Sequence, residues 1–238
     1  MIHDYRSFED RFREQLHLSR RPVAVAFRSA PPEGVPAFSG SVPSGCSFWR
    51  LASEGRSFST IAGDHFNCPI GSYTHNVSVP AERSAELEDV LKLMNGIGYI
   101  RMEEIPSVFR LAEAPQAVVY APLGETPVDP DVVLFAGPPG NLMLLIEAAF
   151  RAGVASGLPL LARPTCMALP AALATGVVTS AGCIGNRIYT DVGEDQLYTV
   201  VPGRQLKAVA DALETIVKAN AGLAEYHRAR RSELLVVT

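Results

Sequence analysis

CSFWRLASEG at residues 46–55 and CMALPAALATG at residues 166–176 are the two stretches on which the fold turns. Each opens on a cysteine, runs through helix-forming residues and stops at a glycine, the pattern of a short helix with a C-terminal stop. Working outward from them, the signals recur in one order. After the first come Cys68-Pro-Ile-Gly71, Tyr73-Thr74, Val79-Pro80 and an amphipathic helix to Asn95. After the second come Cys183-Ile-Gly185, Tyr189-Thr190, Val201-Pro202 and an amphipathic helix to Asn220. Such self-similarity predicts an internal duplication. The expected fold is α/β or α+β, built from two similar halves about a pseudo-two-fold axis with a cleft between them. The halves are expected at 1–110 and 111–238, within one compact unit, each bringing two cysteines to matching places.

The remaining elements follow from periodicity. Phe8, Phe12, Leu16 and Leu18 among charges predict a helix over 7–19, and Leu87, Val90, Leu91 and Met94 predict another with one buried face. Short runs at 22–27, 57–61, 116–121, 132–136, 177–179 and 196–201 read as strands. Residues 141–152 read as a hydrophobic helix, entered through the turn Gly137-Pro-Pro-Gly140. Residues 63–76 and 182–195 read as polar loops. A long helix over 204–220 places Leu206, Val209, Leu213, Ile216 and Val217 on one face, and 226–233 reads as its solvated end.

Composition narrows the class. The chain has 238 residues, 47% hydrophobic and 19% charged, with a net charge of −4. These values describe a globular chain long enough to bury a core without disulfides. A pI near 5.8 argues against a nucleic-acid partner, whose affinity comes from neutralised phosphates. The charged N-terminal residues have no apolar core of a leader, and the most hydrophobic stretch, 132–161, is broken by Glu147 and Arg151. No membrane partner is expected, and a cytoplasmic location follows, in which four cysteines are not structural disulfides.

Those cysteines are the strongest constellation. Cys46, Cys68, Cys166 and Cys183 each stand beside small or turn-forming residues, which let the backbone approach a cluster closely and aim amides at anionic sulfur. Four thiolates suit a tetrahedral zinc or an iron–sulfur cluster. No CxxC spacing supports either, and the bland alternative is a set of buried small hydrophobes. Cys46 and Cys166 also open helices, where unpaired amides lower a thiol pKa. Asp64-His65-Phe66-Asn67-Cys68 sets an imidazole beside a thiol, with the aspartate as a candidate to orient the ring. His75 is a further candidate ligand. Asn186 and Arg187, with Asn67, are candidates to bind a small anion through amide and guanidinium groups. Trp49, the sole tryptophan, reads as core.

With these residues laid out, the chain resembles domain of unknown function family 169, found in bacteria and archaea. The likeness rests on Asp64-His65-x-Asn67-Cys68-Pro-x-Gly71, Ser180-Ala-Gly-Cys183-x-Gly-Asn186-Arg187 and Val201-Pro202-Gly203, and it extends from about Arg20 to Arg230. No established reaction comes with the family. The resemblance implies that the two cysteine loops belong together.

Three functions remain open at this point. The leading one is a metal- or iron–sulfur-binding protein, with Cys46, Cys68, Cys166 and Cys183 as ligands in the cleft and His65 and Arg187 near a small-molecule position. The second is a metal-free enzyme in which Cys46 or Cys68 attacks a substrate, His65 acts as base and Arg187 holds an anion. The third is a non-catalytic module that binds or senses a small molecule in the cleft.

Overall fold

The computed structural model describes residues 4–154, 158 and 160–234. Six strands, β1 (Val23–Arg28), β2 (Phe58–Ile61), β3 (Ala117–Pro122), β4 (Val132–Gly137), β5 (Val178–Ser180) and β6 (Leu197–Pro202), form one sheet in the order β2-β3-β1-β4-β6-β5. Every neighbouring pair is antiparallel. Eight α-helices lie among the described residues: α1 (Tyr5–Gln15), α2 (Cys46–Ser53), α3 (Pro69–Thr74), α4 (Ala81–Gly96), α5 (Pro139–Arg151), α6 (Ala168–Thr175), α7 (Ile184–Thr190) and α8 (Leu206–Leu234). The molecule is thus a mixed α/β fold on an antiparallel sheet. None of the described helices is long and apolar enough to cross a membrane.

The sheet reads alike from its centre in both directions. At the centre β1 pairs with β4, Ala24 opposite Val133. Outward from β1 come β3 and β2; outward from β4 come β6 and β5. Registers agree as well. Val23 stands opposite Pro122, and Val132 opposite Pro202. Phe58 faces Tyr120, and Val178 faces Val200, in each case two residues before the strand's final proline. Along the chain, the three strands on one side of the centre, β1, β2 and β3, precede the three on the other, β4, β5 and β6, with residues 123–131 between the two sets. Val201-Pro202 ends β6 as Ala121-Pro122 ends β3, whereas Val79-Pro80 leads into α4.

Alternation along the strands builds two cores. Val23, Val25, Val118, Tyr120, Val132, Leu134, Tyr198 and Val200 point to the face covered by α2 and α6, where Phe48, Trp49 and Leu169 are buried. Ala24, Val133, Phe135 and Val201 point to the opposite face, under α1, α5 and α8. There Phe12 meets Phe135 edge-on at 4.9 Å, and Leu142, Leu145, Val209 and Leu213 fill the layer. Each such side chain contributes about 1.5–3 kcal/mol by leaving water. The buried carboxylate of Glu9 is structural: it accepts from Arg21 Nε at 2.5 Å and from the Gly124 N–H at 2.6 Å.

Three local expectations are corrected. The polar loops at 63–76 and 182–195 contain α3 and α7. The long C-terminal helix does not end at residue 220 but runs on to Leu234, with its outer turns exposed as expected. Finally, α4 forms where periodicity predicts it, but none of its residues is buried. The groove lined by Arg20, Trp49, Arg50, Thr190 and Tyr198 encloses about 10 Å³, room for one water.

Candidate functional site

Four elements carry the four cysteines to one side of the sheet. Cys46 is the first residue of α2, and Cys166 lies in the 3-10 turn Thr165–Met167 that leads into α6. Each stands twelve residues before the start of an edge strand, at Phe58 and at Val178. Cys68 and Cys183 are the N-cap residues of α3 and α7. The packing then crosses between the halves. The Cys46 thiol lies beside Asn186 of α7, and the Cys166 thiol lies beside Thr74 and 4.0 Å from the Ile70 carbonyl, both in α3.

Each thiol lies within electrostatic reach of the other three. Cys46 and Cys166 are buried; Cys68 and Cys183 are half-buried. Burial pushes the Cys46 thiol well above its usual range, and the neighbouring Cys166 adds to the shift. Burial likewise raises Cys166 and, against the opposing pull of the Gly45 and Gly71 amides, Cys68. The expected lowering at helix starts is therefore overturned for Cys46 and Cys166, because desolvation outweighs the partial charge of a few amides. Among the described residues, no group of three or more His, Cys, Asp and Glu side chains is set to hold a single metal ion.

Close approach of backbone to sulfur is visible at Gly71. Its N–H donates to Cys68 Sγ at 3.3 Å, and a Cβ there would lie 2.9 Å from the same sulfur. Gly203 serves the backbone instead. A Cβ there would stand 1.8 Å from the Pro130 carbonyl oxygen, so the Val-Pro-Gly motif secures the β3–β4 connection. Two buried polar groups beside the thiols lack partners. Tyr120 Oη has none, although it lies within charge reach of Cys46, Cys68 and Cys166. The Asn186 amide faces the Cys46 thiol and the Tyr198 hydroxyl but is in hydrogen-bond geometry with neither. Sequence reasoning misses Tyr120; its signal is a polar tip at an inward position of the alternating strand AVVYAP.

The other candidates stand elsewhere or are engaged. His65 is 2% exposed, packed on Phe48 and Tyr120, with Nε2 2.8 Å from Thr60 Oγ1. The Thr60 hydroxyl donates to the Val118 carbonyl at 3.1 Å, so Nε2 carries the ring proton and Nδ1 is a bare acceptor without a partner. Burial lowers its pKa to about 3. Asp64 does not orient this ring; its carboxylate accepts the Ile61 N–H at 2.8 Å. His75, beside His65 and Phe27, is likewise buried and neutral, its pKa lowered to about 4. Arg187 donates to the carbonyls of Gly193 at 2.9 Å, Gln196 at 3.1 Å and Ala181, which ties down the loop after α7. Asn67 is exposed and donates to Ser41 Oγ at 2.9 Å and the Val42 carbonyl at 3.1 Å. Trp49 is core, as expected.

Comparison with known proteins bears on the chain as a whole. The sequence profile of a family described as "Uncharacterised ArCR", domain of unknown function 169, matches residues 11–212. An uncharacterized protein of Methanocaldococcus jannaschii is 28% identical over 135 residues, which cover 52% of this chain and 57% of that relative. The chain therefore spans little more than half the length of this relative. No solved structure matches. The matched region takes in every strand of the sheet and all four cysteines, and the chain belongs to domain of unknown function family 169.

Proposed function

We propose that the protein binds an iron–sulfur cluster where its two halves meet, held by Cys46, Cys68, Cys166 and Cys183, and that the cluster serves redox or Lewis-acid chemistry. One observation carries the reading: four thiols from four separate elements all lie within charge reach of one another. A single zinc, bonded to sulfur at about 2.3 Å, would draw the thiolates to roughly 3.8 Å of each other. A four-iron cluster, in which each thiolate binds its own iron, would hold the same four sulfurs wider apart, and metal analysis distinguishes it from zinc.

The surroundings support the same reading. Cys46, Cys68 and Cys166, raised by desolvation and by the charge of neighbouring thiolates, are costly to ionise, and a bound cation reverses that balance. Tyr120 Oη and the Asn186 amide are unpartnered groups beside those thiols, of the kind that tunes a cluster through hydrogen bonds to sulfur. The shared strand order and register support a further part of the proposal. The chain is two copies of one unit, each giving a cysteine before its edge strand and another after it. Free thiols and a cluster suit a reducing compartment, in keeping with a cytoplasmic location.

A metal-free nucleophile draws less support. His65 would have to take the proton from a thiol, but burial lowers its pKa to about 3, which leaves it a poor base for a thiol that burial has made harder to ionise. An anion site at Arg187 is likewise disfavoured, because three carbonyls occupy its guanidinium.

Anaerobic reconstitution with iron and sulfide tests the proposal. The expected product is a brown protein with visible absorption, holding iron and sulfide in comparable amounts, and each single Cys→Ser change diminishes both. Iron retention no better than that of a chain with all four cysteines changed to serine overturns it.

A further inference from the structure

The two halves differ most in what joins the short helix to the next strand. In the second half α7 reaches β6 through residues 191–196; in the first, α3 reaches β3 through residues 75–116, which include α4 and the 3-10 turn Met102–Ser107. This added segment buries none of the residues of α4 or of that turn. Its root is tied to α3: Arg110 Nε donates to the Tyr73 carbonyl at 2.9 Å, and the Leu111 N–H donates to the Thr74 carbonyl at 2.9 Å.

Its tip crosses to the other half. Tyr99 Oη lies beside the Ile184 N–H and within charge reach of Cys183. Arg163, three residues before Cys166, places its guanidinium over the Tyr99 ring at 5.2 Å and bonds Glu104 Oε2 at 3.0 Å. One arginine of the second half thus holds two points of a segment that belongs to the first. An element with no buried face, rooted at one end and held at the other by an exposed ion pair and a ring contact, opens at low cost.

We propose that residues 81–107 form a hinged cover over the Cys183 edge of the thiol site, latched by Arg163 to Tyr99 and Glu104. Small molecules reach the Cys183 sulfur when that latch is released. The assignment rests on the four-thiol site being the functional one, but the cover is tested without any metal.

In the reduced, metal-free protein, the rate of iodoacetamide labelling is followed at each cysteine by peptide mass spectrometry. Arg163→Ala removes the latch, and Cys183 is expected to label roughly three- to tenfold faster while Cys46, Cys68 and Cys166 keep their rates. Tyr99→Phe keeps the ring under Arg163 and leaves the Cys183 rate near that of the parent. Glu104→Gln, at an exposed position, gives a smaller acceleration in the same direction and serves if Arg163→Ala fails to fold. An unchanged Cys183 rate in folded Arg163→Ala, or equal acceleration at all four cysteines, overturns the proposal. Because no step needs iron, failure of the cover and failure of the cluster are read separately.

Discussion

At His75 both ring nitrogens lie in the core without a partner, so the ring stays neutral through the pH range where an unfolded histidine takes up a proton. The sign follows from linkage. The folded pKa is lowered to about 4 from the ordinary 6.5, so the unfolded chain binds more protons between those values. Stability is complete above about pH 6.5 and is lost as the pH falls toward 4, by up to about 1.4 kcal/mol per unit for each such ring. His75→Leu is expected to flatten the pH dependence of urea unfolding between pH 6.5 and 4.5 by about that slope; an unchanged slope shows the ring to be accessible. This environment was not legible in the sequence. Asp64, His65 and Cys68 are close along the chain, but Asp64 caps a turn, His65 enters the core and only Cys68 reaches the thiol site. The glycine beside Cys68 was legible, because backbone–sulfur approach is a local requirement that a Cβ would violate.

Among the elements, α8 shows how a helix can outlast its own packing. Leu206, Val209, Ala210 and Leu213 are buried, and Asn220 Nδ2 still reaches Glu147 Oε2 at 2.8 Å, but Leu223, Tyr226 and Leu234 are exposed. A chain ended after Gly222 is expected to unfold in urea within about 1 kcal/mol of the parent, as surface changes do. A chain ended before Val209 loses the buried Val209, Ala210 and Leu213, the two larger of them worth about 1.5–3 kcal/mol each, and its transition falls sharply or disappears. Equal losses from the two truncations would show that the outer turns pack after all. Six strands and the longer helices were readable from periodicity, since alternate or every-third-to-fourth apolar residues record which face is covered. The helices α3 and α7 were not: with 6 and 7 residues they are too short to show a period, and cysteines rather than serine or aspartate stand at their N-caps. For α4 the period was present and the burial was not, because periodicity states that a helix has an apolar side and says nothing about what lies against it.

For the molecule as a whole, the arrangement 2-3-1-4-6-5 makes the four cysteines two kinds rather than four individuals. Cys46 and Cys166 are buried before an edge strand; Cys68 and Cys183 are half-buried after one. This equivalence was traceable in the sequence through the two Cys-to-Gly stretches, because their spacing to the next strand is the same. The strand that closes each half was mismatched, because residues 75–116 stand between α3 and β3 where only residues 191–196 stand between α7 and β6. If the site is built by pairs, the effects of substitution must also come in pairs. Cys46→Ser and Cys166→Ser each place a hydroxyl in an apolar layer and are expected to cost about 1–3 kcal/mol even without metal. Cys68→Ser and Cys183→Ser, nearer solvent, cost less than about 1 kcal/mol. All four changes reduce iron uptake, and the thermal midpoints of the metal-free variants fall into the same two groups. A single indispensable cysteine with three neutral ones would not fit any site made by two matching halves, and would return the chemistry to one nucleophilic thiol. Loss of iron in every variant requires that the sulfurs act as one set, because the paired stabilities of the metal-free chain follow from burial alone and do not by themselves tie the four together.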